Sequence, residues 1–303
     1  MEQKNLDIEA IIRQVLAELG KGSLQESAPQ VEVVKPEGGQ SPGIDLPDPS
    51  LAENRQKLGV VNPFDPDGLL NLCSTTNARL GVGRAGPRPK TESLLLFQAD
   101  HAVTQDAIFG VVDEDILNQF DLFTVQTQVQ SQTEYLLRPD LGRILCDDAK
   151  KTIAERCVKN PQVQIVVGDG LSAAAINNNL PLIFPVIEEG LQGAGLSLGT
   201  SFFIKHARVG VINDLNEIIR ADVVVILIGE RPGLGISDAM SAYMGWQPAH
   251  GKTDADRDVI CMITMNGGTN TLEAGAFVVE MIKKTHKFQA SGVSLKEKTA
   301  TAE

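Results

Sequence analysis

The chain of 303 residues has few of the features that hold a protein together other than a packed core. Its four cysteines, Cys73, Cys146, Cys157 and Cys261, make no C-x-x-C pair and no spaced framework. That excludes a disulfide-stapled module or a cysteine zinc site and reads as reduced thiols of a cytosolic protein. Basic residues are in deficit, with 27 Lys and Arg against 39 Asp and Glu and a net charge of −12. A chain devoted to neutralising nucleic-acid phosphates or an anionic membrane surface is thereby excluded. No long apolar run occurs. The longest, VVVILI at 223–228, falls far short of the roughly 18–20 residues that cross a bilayer. The opening MEQKNLDIEA lacks the basic and unbroken apolar stretches of a signal peptide, so a cytoplasmic location is expected. G-x-S-x-G, H-E-x-x-H and Walker patterns are missing, and His101, His206, His250 and His286 are scattered. The sequence therefore shows no self-contained catalytic constellation.

What is present is an ordinary globular mixture, 42% hydrophobic and 22% charged, long enough for two domains. Residues 5–20 place Ile8, Ile11, Ile12, Val15, Leu16 and Leu19 at helical spacing, which predicts an amphipathic helix within 1–22. Residues 23–50, dense in Gly, Ser, Pro, Gln and Glu, read as a flexible linker. A sticky helix on a tether suits an address or docking peptide. Residues 51–137 read as a smaller, mainly helical domain, with Asp65 or Asp67, Thr91 and Asp113 as helix starts. From about 138 to 303, short Val/Ile-rich runs at 163–167, 201–204, 223–228 and 259–263 alternate with helical stretches at 143–158, 182–191, 212–220 and 272–284. This pattern predicts a Rossmann-like, doubly wound, mostly parallel sheet covered on both faces, with ligands beyond the carboxyl ends of its strands.

Three glycine-rich segments compete as sites. Gly81-Val82-Gly83-Arg84-Ala85-Gly86 is followed by Pro87 and Pro89, which denies a helix N-terminus to a pyrophosphate. A rigid basic loop carrying Arg84, Arg88 and Lys90 is the better reading. Gly168-Asp169-Gly170-Leu171-Ser172-Ala173 follows a strand and opens a helix, as a dinucleotide turn does. However, Asp169 puts a negative charge in the loop and the next strand ends on Lys205 and His206. A close-packing turn is favoured over a stand-alone NAD(P) oxidoreductase. In Gly229-Glu230-Arg231-Pro232-Gly233-Leu234-Gly235, charged residues sit at the carboxyl edge of a buried strand. That is the strongest functional signal, set against a plain Glu230/Arg231 ion pair.

The ordered blocks RAGPRPKTESLLLFQADHA, LLRPDLGRILCDDA, VQIVVGDGLSAAAI, GTSFFIKHARVG and VVVILIGERPGLGISDAMSAY, spread over about 58–295, resemble the small (light) chain of ethanolamine ammonia-lyase. The resemblance implies an adenosylcobalamin-dependent carbon–nitrogen lyase that converts ethanolamine to acetaldehyde and ammonia by a radical route. It also implies a large-subunit partner that holds the substrate, with the small chain completing the cobalamin site. By position it assigns cofactor contacts to Val209 and Glu230. A third falls to Val259, two residues past Arg257, or to Cys261, two further on. No D-x-H-x-x-G string occurs, so the cofactor is expected base-on. Enzymes of this kind enter bacterial microcompartments through N-terminal extensions, which makes a shell the expected partner of the first helix. A non-catalytic scaffold protein of such a compartment is the remaining rival.

Overall fold

The computed structural model describes residues 52–76 and 78–301. The helix expected at 5–20 and the linker at 23–50 lie outside the described residues. The first part of the described chain holds α1 (Ala52–Arg55), α2 (Pro66–Ser74), a short hairpin of β1 (Arg84–Ala85) and β2 (Arg88–Pro89), α3 (Thr91–Phe109) and α4 (Glu114–Gln119). There follow β3 (Phe123–Gln126), α5 (Gln132–Leu137), α6 (Asp147–Arg156), β4 (Val163–Gly168), α7 (Ala173–Gly193), β5 (Phe202–Lys205), α8 (Val211–Ile219) and β6 (Val223–Gly229). The last elements are β7 (Met240–Trp246), β8 (Arg257–Ile263), α9 (Thr271–Phe288) and α10 (Gly292–Ala300).

Six strands form one sheet in the order β3-β5-β4-β6-β7-β8. The first three pairings across it are parallel and the last two antiparallel, so β7 alone runs against the rest. Alternation decides what each face meets. Ile165 and Val167 of β4 and Val225 and Leu227 of β6 pack with Ile176, Ile183 and Ile187 of α7 and Val278 and Ile282 of α9. Their neighbours Val166, Val224 and Ile226 pack on the other side with Ile153 of α6 and Ile212 and Leu215 of α8. Every residue of β4 and β6 is buried, as a sheet covered on both faces requires. The chain is thus a mixed α/β protein with a mostly parallel sheet.

Several elements differ from the sequence-based expectations for physical reasons. The sheet begins at Phe123, inside the stretch whose period reads as helical, because β3 is a four-residue edge strand too short to show alternation. Strand β7 (MSAYMGW) lacks a β-branched run and takes its conformation from pairing along its length with β6. The helix expected at 182–191 is the second half of α7, which runs through Pro181 and Pro185. Burial of Leu180, Ile183, Phe184 and Ile187 outweighs the roughly 3 kcal/mol that an interior proline costs. Asp65 caps α2 by accepting the Gly68 N–H at 2.9 Å. The cap position of α3 is Lys90 rather than Thr91. The basic loop at 84–90 is a two-stranded hairpin.

Candidate functional site

Chain order along the sheet makes a crevice. From β4 the chain passes to β5 on one side and then returns to β6 on the other. The turns leaving these strands diverge there, which is where open α/β sheets bind ligands. A cleft of about 380 Å³ lies at this point. Val209 and Arg208 enter it from the turn after β5, and Glu230 and Arg231 from the turn after β6. Ser241 and Tyr243 of β7 and Cys261 of β8 close the far side.

Glu230 is aimed by its neighbours. Its main-chain N–H donates to the Ala239 carbonyl at 2.9 Å, and its Oε1 accepts the Ser241 hydroxyl and the Met262 N–H at 2.8 Å. The Met262 bond depends on a bulge. Between the pairs Met240↔Ile263 and Ala242↔Ile260, β8 carries one residue more than β7, and Met262 adopts a left-handed φ of 55°. Such bulges re-aim side chains beside functional clefts. Here the bulge follows Ile260, so Cys261 lines the cleft, while Val259 pairs with Tyr243 outside the lining. Burial, with the Glu230 charge second, raises the Tyr243 phenol above its ordinary pKa. Among the described residues Glu230 forms no ion pair with Arg231, so the self-contained pair weighed against a functional role is not what the structure holds.

The segment 168–173 is a close-packing turn. Gly170 has φ 59°, and a Cβ on it would collide with the Gly229 carbonyl oxygen, so only glycine fits where the β4 and β6 turns touch. Ser172 caps α7 through the Ala175 N–H at 3.1 Å. Asp169 Oδ2 accepts the His206 N–H at 2.7 Å, and Oδ1 accepts the Ala207 N–H at 2.9 Å. Burial pushes its carboxyl up to about 6 despite these bonds. A negative side chain thus fills the loop where a dinucleotide would bring its phosphates.

A second, larger cavity of about 830 Å³ lies between residues 54–100 and the loop after β6. Leu94, Phe97 and Leu234 supply apolar walls, and Arg79, paired with Asp100, supplies a polar one. Arg231 lines both cavities.

Of the residues singled out in the sequence, the structure brings Val209, Glu230 and Cys261 into one cleft and leaves Val259 outside its lining, 47% exposed. Sequence reading missed Ser241 and Tyr243, which arrive through the pairing of β7 with β6, as well as Tyr135 on α5 and Arg208 beside Val209.

The fold and cleft define a mixed α/β protein with an open cleft at the carboxyl edge of its sheet. Comparison gives this class its family. The family model for the ethanolamine ammonia-lyase light chain (EutC) matches residues 66–296. The ethanolamine ammonia-lyase small subunit of Listeria monocytogenes serovar 1/2a is 40% identical over 296 residues, covering 96% of this chain and 99% of that protein. The small subunit of Clostridioides difficile strain 630 is 39% identical over 298 residues, covering 98% and 100%, and that of Clostridium perfringens is 40% identical over the same length and coverage. The chain belongs to the ethanolamine ammonia-lyase small-subunit family.

Proposed function

We propose that this chain is the cofactor-holding small subunit of an adenosylcobalamin-dependent ethanolamine ammonia-lyase, a carbon–nitrogen lyase active only with its large subunit. The observation that carries the reading is the meeting of Val209, Glu230 and Cys261 in one cleft at the strand ends, in a chain of this family. The residues fit the group. Glu230 has a held carboxylate that can accept amide N–H groups such as a corrin's side arms carry, and Val209 offers an apolar contact to a flat macrocycle. A cleft of about 380 Å³ is at the small end of sites that enclose a drug-sized ligand. It therefore grips one side of a corrinoid and leaves the other to a partner.

When bound, adenosylcobalamin supplies the radical chemistry, and binding base-on accords with the missing D-x-H-x-x-G string. This chain's own residues bind and orient. Glu230 accepts hydrogen bonds, Val209 and Cys261 shape the contact, and Asp169 holds the turn before Val209. The chain contributes no reacting acid or base in this reading, which places the substrate on the large subunit. Apolar side chains left exposed on residues 60–111, including Phe64, Phe97 and Val111, support a partner there.

The division into a helical domain at 51–137 and a Rossmann-like domain at 138–303 belongs to the same reading, with β3 reaching from the first into the sheet. So does cytoplasmic residence inside a microcompartment, with residues 1–22 as the shell-directed helix. Deleting residues 1–22 is expected to abolish shell co-localisation, and unchanged co-localisation would refute that part alone. The function is tested by acetaldehyde release from ethanolamine with adenosylcobalamin, using this chain, a cognate large chain, and the two together. Activity is expected only in the mixture. Absence of turnover from folded, associated chains would return weight to the scaffold reading.

A further inference from the structure

We infer that Asp169 is a positioning residue for the cofactor cleft, its carboxylate fixing the turn after β5 so that Val209 is presented to the ligand. The inference deepens the proposed function and rests on it. Both Asp169 oxygens are used, one on the His206 N–H at 2.7 Å and one on the Ala207 N–H at 2.9 Å. The turn they hold is one the backbone would not choose unaided, because His206 has φ 58°, the left-handed region that non-glycine residues avoid.

Other ties converge on the same few residues. The Thr127 hydroxyl donates to the His206 carbonyl at 3.0 Å and the Tyr135 hydroxyl to the Ala207 carbonyl at 2.7 Å. The Arg208 N–H donates to the Gly142 carbonyl at 2.8 Å, and its guanidinium lies 4.1 Å from the Tyr135 ring centre. Val209 follows directly and lines the cleft with Ala207 and Arg208.

A carboxylate taken largely out of water is an expensive way to tie a turn. The groups facing it are His206, whose Nδ1 is 3.9 Å away, together with Lys205 and Tyr135. What the carboxylate offers is two acceptors on one short side chain. Asparagine has one carbonyl oxygen, and its amide nitrogen would turn a donor toward a donor.

The test is Asp169→Asn in the complex with the large subunit, titrated with adenosylcobalamin and followed by corrinoid absorbance. Affinity is expected to fall by about tenfold or more, the scale of one lost charge-assisted bond. The melting midpoint of the chain is expected not to fall, since the variant sheds a carboxylate whose charged form burial disfavours, and association with the large subunit is expected to hold. Wild-type affinity should weaken as pH falls through about 6, where burial places the Asp169 titration, and the variant should lack that step. Tyr135→Phe, which removes the hydroxyl bond to Ala207 and no charge, should weaken binding in the same direction by less. Unchanged affinity in Asp169→Asn overturns the inference. A lowered midpoint with loss of the complex also overturns it, assigning Asp169 to folding. If the wild-type complex takes up no corrinoid, the function reading itself falls and takes this one with it.

Discussion

Two regions of this chain are built on opposite terms. In the sheet and the helices that flank it, apolar residues alternate to both faces and most are buried, with Leu182, Val259, Leu272 and Phe277 left exposed at the margins. Among the described side chains of residues 52–111, the buried ones are Cys73, Asp100 and Ala107. The 19-residue α3 buries only the last two, while Phe64 is fully exposed and Leu94, Phe97 and Phe109 are each more than 40% exposed. Where the sheet is fastened by burial, this arm is fastened by polar ties. Arg79 grips Asp100, donating through Nη2 at 2.7 Å, and donates again to the Asn54 carbonyl at 3.1 Å. The Thr104 hydroxyl reaches the Gly233 carbonyl at 3.1 Å. Hydrophobic burial is the main stabilising term in folding, so a region that forgoes it has its apolar surface reserved for something else. The difference separates what holds the lone chain from what the assembled protein would cover.

The sharpest stress on the sheet side of that comparison is Ile183→Ala. Ile183 is fully buried on α7, against the stretch of α9 where Gly275 permits close approach. Removing it should cost the lone chain about 2–5 kcal/mol, transfer and cavity combined. Urea unfolding of the isolated chain checks this, and a loss below about 1 kcal/mol would mean that the core repacks far more freely than its burial implies.

A somewhat smaller effect concerns the carboxyl group in the turn that leaves β4. Burial raises the Asp169 carboxyl from 3.8 to about 6 in the folded chain. The folded state therefore binds the proton more tightly than the unfolded one. The contribution of this group to stability is full below pH 3.8 and is lost as pH rises through about 6. At about 1.4 kcal/mol per unit the loss is on the order of 3 kcal/mol. Stability of Asp169→Asn should lack this decline when denaturant midpoints are compared between pH 4 and 7. A variant that keeps the wild-type slope would show that another group carries it. Retention of a residue that lowers stability at neutral pH makes sense if its work is at the cleft.

The same contrast explains what was legible in the sequence. Strands β4, β5 and β6 announce themselves because two-sided burial demands continuous Val, Ile and Phe, while the edge strand β8 shows only through its Val259, Ile260 and Ile263. Strand β7 and the edge strand β3 do not, since their conformation comes from partners far along the chain. The cleft was half legible. Glycines and the Glu230 charge mark the β6 turn, and family resemblance supplies Val209. The uncertainty between Val259 and Cys261 has a physical source, because the bulge after Ile260 breaks the strand's simple spacing. No local pattern foretells that Ser241 and Met262 aim Glu230, or that Asp169 ties a turn 37 residues on. The helices of residues 52–111 lie in a stretch whose pattern reads as helical, but their exposure could not be read, since apolar residues at helical spacing look alike whether they meet a core or a partner.

The smallest effect on the lone chain is expected from Phe97→Asp, and it is the most direct attempt to break the comparison. Phe97 lies on α3, 51% exposed, in the wall of the larger cavity. If the arm has no core to lose, putting a charge there should shift the isolated chain's stability by no more than about 0.5 kcal/mol, as for other surface sites. In the presence of the large subunit the same change should reduce complex formation, because a partner that covers this wall would have to bury an unpaired carboxylate. Analytical ultracentrifugation of wild type and variant, each alone and mixed with the large chain, reads both quantities. A large loss of stability in the lone chain would show that residues 52–111 have a core of their own. Unimpaired association would move the partner's footprint off this face and leave the exposed side chains of α3 without a role in assembly.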